Sequence, residues 1–208
     1  MLLLRKVSVY LCLFSLCMSV ALYPLLPSQV ATHWNINGTA DEHTTKIMAG
    51  FLIPVLMVFL FKVSDFTMRY IYGTSKRNCT VHAIATNTVL SFLLFIHVLI
   101  LLIGTGIFID FQMCLLAAAG AFFLVLSWCF AKIQTREPVT APFVSTETVF
   151  QKMQMHTVRT FCFIGFGLLV SLILPQQWQV YTAICMIGFG GIFIIIMTLY
   201  YYTIENRN

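Results

Sequence analysis

The run from Val180 to Tyr202, VYTAICMIGFGGIFIIIMTLYYY, decides the fold, because its 23 residues carry no charge. A helix rises 1.5 Å per residue, so about 20 such residues cross the roughly 30 Å of hydrocarbon in a bilayer. Five stretches nearer the N-terminus have the same character: Val7 to Leu26, Ile47 to about Phe61, Ala83 to Ile103, Met113 to Ala131 and Thr157 to Leu174. Backbone amides cannot stay unpaired in lipid, and the alternating pattern of a membrane barrel is absent, so the spans are helices. The sequence predicts an all-α, polytopic membrane bundle of about six transmembrane helices, with residues 1–208 as one integral membrane domain. The second and fifth stretches are short, and Lys62 and Arg159 are expected to snorkel to the interface from their helix ends.

Composition points the same way. The chain is 60% hydrophobic and 9% charged, with a mean hydropathy of +0.91, whereas a soluble domain is about a quarter charged. If the N-terminus is inside, the inner segments hold 11 of the 12 Lys and Arg residues: Arg5, Lys6, Lys62, Arg69, Lys76, Arg77, Lys132, Arg136, Lys152, Arg159 and Arg207. The outer connections hold only Lys46. Basic residues are retained on the cytoplasmic side during insertion, so both ends are predicted inside. The net charge of +5 is then an inner-face bias toward anionic lipid rather than a nucleic-acid footprint. Arg5, Lys6, the first apolar run and Ser19-Val20-Ala21 also fit a cleaved signal peptide, but the run continues through Leu26 and favours a retained helix. The seven cysteines are odd in number and form no CxxC, so they are read as small packing residues.

Catalytic chemistry leaves no trace. The seven acids are scattered, with only Asp41 and Glu42 adjacent, and there is no Walker loop, GxSxG or HExxH. A non-enzymatic chain without cofactor or resident metal is expected. His33, Asp41 and His43 share the outer connection from Pro27 to Lys46 and have zinc-ligand chemistry, but three loop residues do not define a site. In the same connection Asn37-Gly38 is a turn signal and Trp34 a headgroup-level ring. Asn37-Gly38-Thr39 is a sequon that matters only in a eukaryotic secretory pathway. The outer connection from Gly104 to Gln112 is short and the one from Pro175 to Gln179 is uncharged and contains Trp178, so neither is expected to form a globular site.

Within the spans, His97 stands out near the middle of the third, where an ionisable group is costly. Its structural reading is a neutral imidazole bonded to a neighbouring helix, and its functional reading is proton relay or substrate binding. Ala117, Ala121, Gly188, Gly190 and Gly191 are expected to permit close helix packing. On the inner side, Asp65 is placed to pair with Lys62 or Arg69 if the second helix runs past Phe61. Further on, Pro138 and Pro142 break the fourth helix before Ser145 and Thr146 offer caps for a segment led by Glu147. Val149, Phe150 and Met153 fall at helical spacing, so Thr146 to His156 is either a helix along the membrane surface or an extension of span five.

Leu26-Pro27, His33-Trp34-Asn35, Gly38 and Asp41 together resemble the outer-loop pattern of the SdpI-type bacterial immunity proteins. The likeness continues through Lys46 into Ile53-Pro54, and length, span count and topology agree. The family's inner signature is matched in part by Pro142, by Thr146-Glu147-Thr148-Val149-Phe150 and by Lys152 and Arg159. Its Arg-Thr-Pro element is not recognisable between Pro138 and Pro142, and Met153-Gln154-Met155 replaces a Thr-His-Arg. The resemblance implies a protein of the bacterial plasma membrane that protects against a secreted peptide toxin and captures a helix-turn-helix repressor at the inner face. It implies a toxin-sensing loop of His33, Trp34, Asn35, Gly38 and Asp41, and an inner partner-contact segment of Glu147, Phe150, Lys152 and Arg159. The competing expectation is a small transporter or permease subunit, for which His97, Asn87 and Gln112 are the polar candidates.

Overall fold

The computed structural model describes residues 2–70, 76–132 and 147–205. Among the described residues there are six α-helices: α1 (Leu2–Leu22), α2 (Lys46–Tyr70), α3 (Lys76–Gly104), α4 (Phe111–Lys132), α5 (Glu147–Ser171) and α6 (Gln176–Glu205). All six contain a stretch long and apolar enough to cross a bilayer, so the chain is a multi-pass membrane protein. Helices α1, α2 and α3 pack on one another; α4 joins α3 to α5, and α6 packs against α5.

The two halves of the bundle are held by different means. In the first, polar side chains tie the inner helix ends: Arg5 Nε lies 2.9 Å from Asp65 Oδ1, and Asn87 Nδ2 donates to the Leu4 carbonyl at 3.0 Å. Ser8 Oγ donates to Asn87 Oδ1 at 2.5 Å, and Ser64 Oγ lies 2.6 Å from Thr86 Oγ1. In the second half, helix backbones meet directly. A Cβ on Gly120 would stand 3.0 Å from the Gly165 carbonyl oxygen, and one on Gly165 would stand 2.9 Å from that of Gly120. Small residues at a crossing are what let membrane helices approach this closely. Ser127 Oγ adds a bond to the Val158 carbonyl at 2.9 Å. Of the glycines expected to serve packing, Gly190 does so against Ile164, while Gly188 and Gly191 face open space. Ala117 and Ala121 line a groove between α3 and α4.

Several helices outrun the apolar stretches that announced them. Helix α2 continues to Tyr70 rather than stopping near Phe61, α3 starts at Lys76 rather than Ala83, and α5 starts at Glu147 rather than Thr157. Lys62 and Arg159 therefore sit inside helices, not at their ends. Hydropathy marks the part of a helix that lipid covers, and a helix extends into water wherever its side chains tolerate it. The segment before span five is one continuous piece of α5. Asp65 does meet a cation, Arg5 of α1. The proline break and the caps from Pro138 to Thr146 lie outside the described residues.

One element is not helical. Between α1 and α2, strands β1 (Gln29–Trp34) and β2 (Ala40–Thr45) pair antiparallel across an irregular register at His33. This hairpin replaces the polar loop expected there, and it occupies the end of the bundle that the basic-residue bias assigns to the outside, called outer below.

The outer hairpin as candidate functional site

The hairpin is built by its own side chains. Asn35 Oδ1 accepts from the amides of Asn37 at 2.9 Å and Thr39 at 3.1 Å, which folds the connection between the strands. Gly38 takes φ +73°, the left-handed region that glycine enters without a Cβ clash. A Cβ there would also fall 2.0 Å from Gln176 Nε2. At the base, the Lys46 amide donates to the Ser28 carbonyl at 3.2 Å, and the Lys46 ammonium lies 4.7 Å from the centre of the Tyr23 ring.

A two-stranded hairpin alone is marginal in water, and this one is anchored on both halves of the bundle. Toward α1, α2 and α3, Val30 is 1% exposed in a cluster with Leu26, Ala49, Ile100 and Leu101. Toward α4, the Trp34 ring stacks on Phe111 with centroids 3.8 Å apart and planes 15° apart. Toward α6, Gln177 Nε2 donates to Asn37 Oδ1 at 3.0 Å. The Gln176–Gln177 pair, in the uncharged connection from which no site is expected, is thus part of this one.

His33 and Asp41 face solvent on adjacent strands, with His33 Nδ1 2.6 Å from Asp41 Oδ1. The bond to Asp41, then its negative charge, raises the His33 pKa above its ordinary value, with a smaller contribution from Glu42 and opposed by slight desolvation. His43 stands opposite Ala31 in the register. Among the described residues no group of three His, Cys, Asp or Glu side chains gathers in a metal-binding arrangement.

Beneath Trp34 and Asn35 lies a cleft of about 510 Å³ between α4 and α6, lined by Phe111, Gln112, Leu116, Val180 and Ile184 among others. Gln112 is the polar residue of its helical walls: Nε2 donates to the Gln176 carbonyl at 2.7 Å, while its buried Oε1 has no partner among the described residues. Gln179 Nε2 donates to the Leu174 carbonyl at 2.9 Å and so ties the α5–α6 turn.

His97 lies behind the hairpin, fully buried and seven residues from the end of α3 at Gly104. That is about 10 Å from the outer helix end, so it belongs to the outer part of the span and not its middle. Pro54 has no N–H, so the carbonyl of Gly50, four residues before it in α2, lacks its helical donor. Ser19 Oγ fills the gap at 2.5 Å. Ser19 Oγ also lies 2.9 Å from the Ser15 carbonyl, so a backbone carbonyl takes its single proton and Ser19 accepts from His97 Nε2 at 2.9 Å. The imidazole is thereby assigned as the neutral Nε2–H tautomer, with Nδ1 having no partner among the described residues. Three helices are joined through one serine.

Of the inner candidates, Phe150 is half-buried and Lys152 and Arg159 are exposed along α5. Glu147 belongs to the first turn of α5, and its side chain lies outside the described residues. The hairpin candidates are therefore at one end of the bundle and Phe150 and Lys152 toward the other, with Arg159 at the midpoint of α5.

A family model described as a domain of unknown function, DUF1648, matches residues 10–58. The match runs from within α1 through the hairpin and past Pro54 in α2, which is the part of the chain that builds the hairpin's footing. No curated protein and no solved structure matches the chain.

Proposed function

We propose that the chain is a non-enzymatic membrane receptor of the immunity type, protecting a bacterial plasma membrane against a secreted peptide toxin met at the outer hairpin. The observation that carries this reading is the double anchoring of the hairpin, by Val30 on the first half of the bundle and by Trp34 and Asn37 on the second. A ligand that engages such a hairpin is felt inside where it binds one arrangement of the two halves more tightly than another, and a hairpin touching both halves is placed to do so. Exposed His33 and Asp41 supply a polar contact for the peptide, and the apolar cleft below Trp34 suits one of its hydrophobic side chains. The resemblance to SdpI-type proteins supports the same reading and adds a soluble helix-turn-helix repressor as the inner partner. Glu147, Phe150, Lys152 and Arg159 are its proposed contacts.

The test is survival of a sensitive bacterium expressing the chain and challenged with a panel of membrane-active peptide toxins. Selective protection is expected, and Asp41→Ala at matched membrane expression is expected to lose it. Protection unchanged in Asp41→Ala, His33→Ala and Trp34→Ala alike would refute the assignment to the hairpin.

A second reading has one observation in its favour. The groove between α3 and α4, about 700 Å³, carries Asn87, Thr88 and Ser91 on an otherwise apolar wall, as a small transporter would require. Solute uptake by vesicles containing the chain, lost on Asn87→Leu, would favour it over the receptor.

A further inference from the structure

Arg159 sits at the midpoint of α5, three residues past His156. His156 Nε2 meets the Tyr201 hydroxyl at 3.2 Å, and Tyr200, Tyr201 and Tyr202 cluster near the inner end of α6. Tyrosine and tryptophan settle at headgroup level. From Trp178 to Tyr201 the helix rises about 35 Å, which matches a bilayer core of about 30 Å with its margins. Tyr201 and His156 thus mark the inner interface. Arg159 lies about 4.5 Å deeper, one turn into the hydrocarbon. Helical side chains lean toward the N-terminus, which for α5 is the inner end, so the guanidinium is carried back toward the headgroups.

Among the described residues, neither Arg159 nor Lys152 has a hydrogen-bond or ionic partner. Lys152, His156, Arg159 and Phe163 are spaced by four, three and four residues, which sets them along one stripe of α5. Outward from Arg159 this stripe borders a groove of about 430 Å³ between α5 and α6, whose wall is almost wholly apolar and includes Phe163, Cys185, Met186, Phe189 and Phe193. An unneutralised guanidinium at the mouth of an apolar groove asks for an anion that carries a hydrocarbon chain.

We propose that this groove binds one anionic phospholipid of the inner leaflet. Arg159 takes the phosphate through its forked N–H groups, Lys152 adds a second positive charge at the headgroup, and an acyl chain lies along Phe163 and Phe189. The site is distinct from the outer hairpin; it shares Lys152 and Arg159 with the repressor contact of the receptor reading, but lipid retention by the purified chain is read without any repressor.

The experiment is native mass spectrometry of the purified full chain in detergent, equilibrated with equimolar phosphatidylglycerol and phosphatidylcholine of identical acyl composition. Retention of phosphatidylglycerol about tenfold above phosphatidylcholine is expected. Arg159→Gln should lower it to the phosphatidylcholine level, Arg159→Lys should keep most of it, and Cys185→Phe, which narrows the groove, should reduce retention of both lipids. Ile195→Phe, on an exposed face outside the groove, should change nothing, and matched helicity by circular dichroism checks folding. Equal retention of the two lipids overturns the proposal, as does selectivity that survives Arg159→Gln. Displacement of the lipid by millimolar inorganic phosphate would make this a free-anion site. A dimer of the chain that disappears in Cys185→Phe would make the groove a contact between two copies.

Discussion

Replacing Trp34 by alanine should leave the hairpin held to the second half of the bundle only through Asn37 and Gln177. The stacked contact with Phe111, at 3.8 Å and 15°, contributes about 0.5–1.5 kcal/mol beyond the area it buries. The buried part of the indole adds a further increment at about 25 cal/mol per Å². About 2 kcal/mol in total is a reasonable figure for a ring that is packed but not fully enclosed, well below the 3–5 kcal/mol of a core Trp→Ala change. Since the strands have little stability of their own once undocked, the loss should appear in the ladder amides. Hydrogen exchange of the segment from Gln29 to Thr45, followed by mass spectrometry in lipid nanodiscs, should accelerate about 30-fold, as 1.4 kcal/mol is a factor of ten. Trp34→Phe keeps a stacking partner and should recover most of the protection. Less than a twofold change in Trp34→Ala would mean that the contact with α4 does not hold the hairpin, and the coupling argument would lose its second anchor.

Two further outcomes follow from the outer side of the bundle. The His33 pKa is raised in the folded hairpin, so the pair with Asp41 contributes fully below the ordinary histidine value of about 6.5 and is lost as pH rises through the elevated folded value. An NMR titration of labelled histidine should place His33 above its ordinary midpoint and show it falling back in Asp41→Asn; an unmoved midpoint would contradict the pairing. Ser19→Ala strands the Gly50 carbonyl and His97 Nε2 together, and should cost about 1–3 kcal/mol in thermal or denaturant unfolding. Adding His97→Leu should cost less than the sum of the two single changes, and strict additivity would sink the three-helix account.

The bundle was legible because the code for it is local and long: an apolar run of some 20 residues needs no partner to be recognised. Helix ends were less so, since Lys62 and Arg159 look like span boundaries to a hydropathy scan but are tolerated within helices that lead into water. The strands were missed although their signal is present. Asn37-Gly38 lies between Val30 and the Thr44-Thr45 pair, and reading the turn without its β-branched flanks stopped one step short. The site's footing was harder still. That Pro54 frees a carbonyl, that Ser19 answers it and that His97 completes the chain is a relation among three helices, and no single stretch carries it. Phe111, Gln176 and Gln177 become part of the site only once the hairpin is laid across them. Gly120 and Gly165 likewise look like ordinary glycines until α4 and α5 are set side by side.

That crossing has a mechanical consequence. Backbone meets backbone at Gly120 and Gly165, and the Phe123, Phe130 and Phe161 rings with the Ser127–Val158 bond continue the seam along the rest of the two helices. With no side chain at the crossing to yield and rings interlocked beyond it, α4 and α5 form one strut. A displacement of Phe111 beneath Trp34 is therefore carried along both helices rather than absorbed between them.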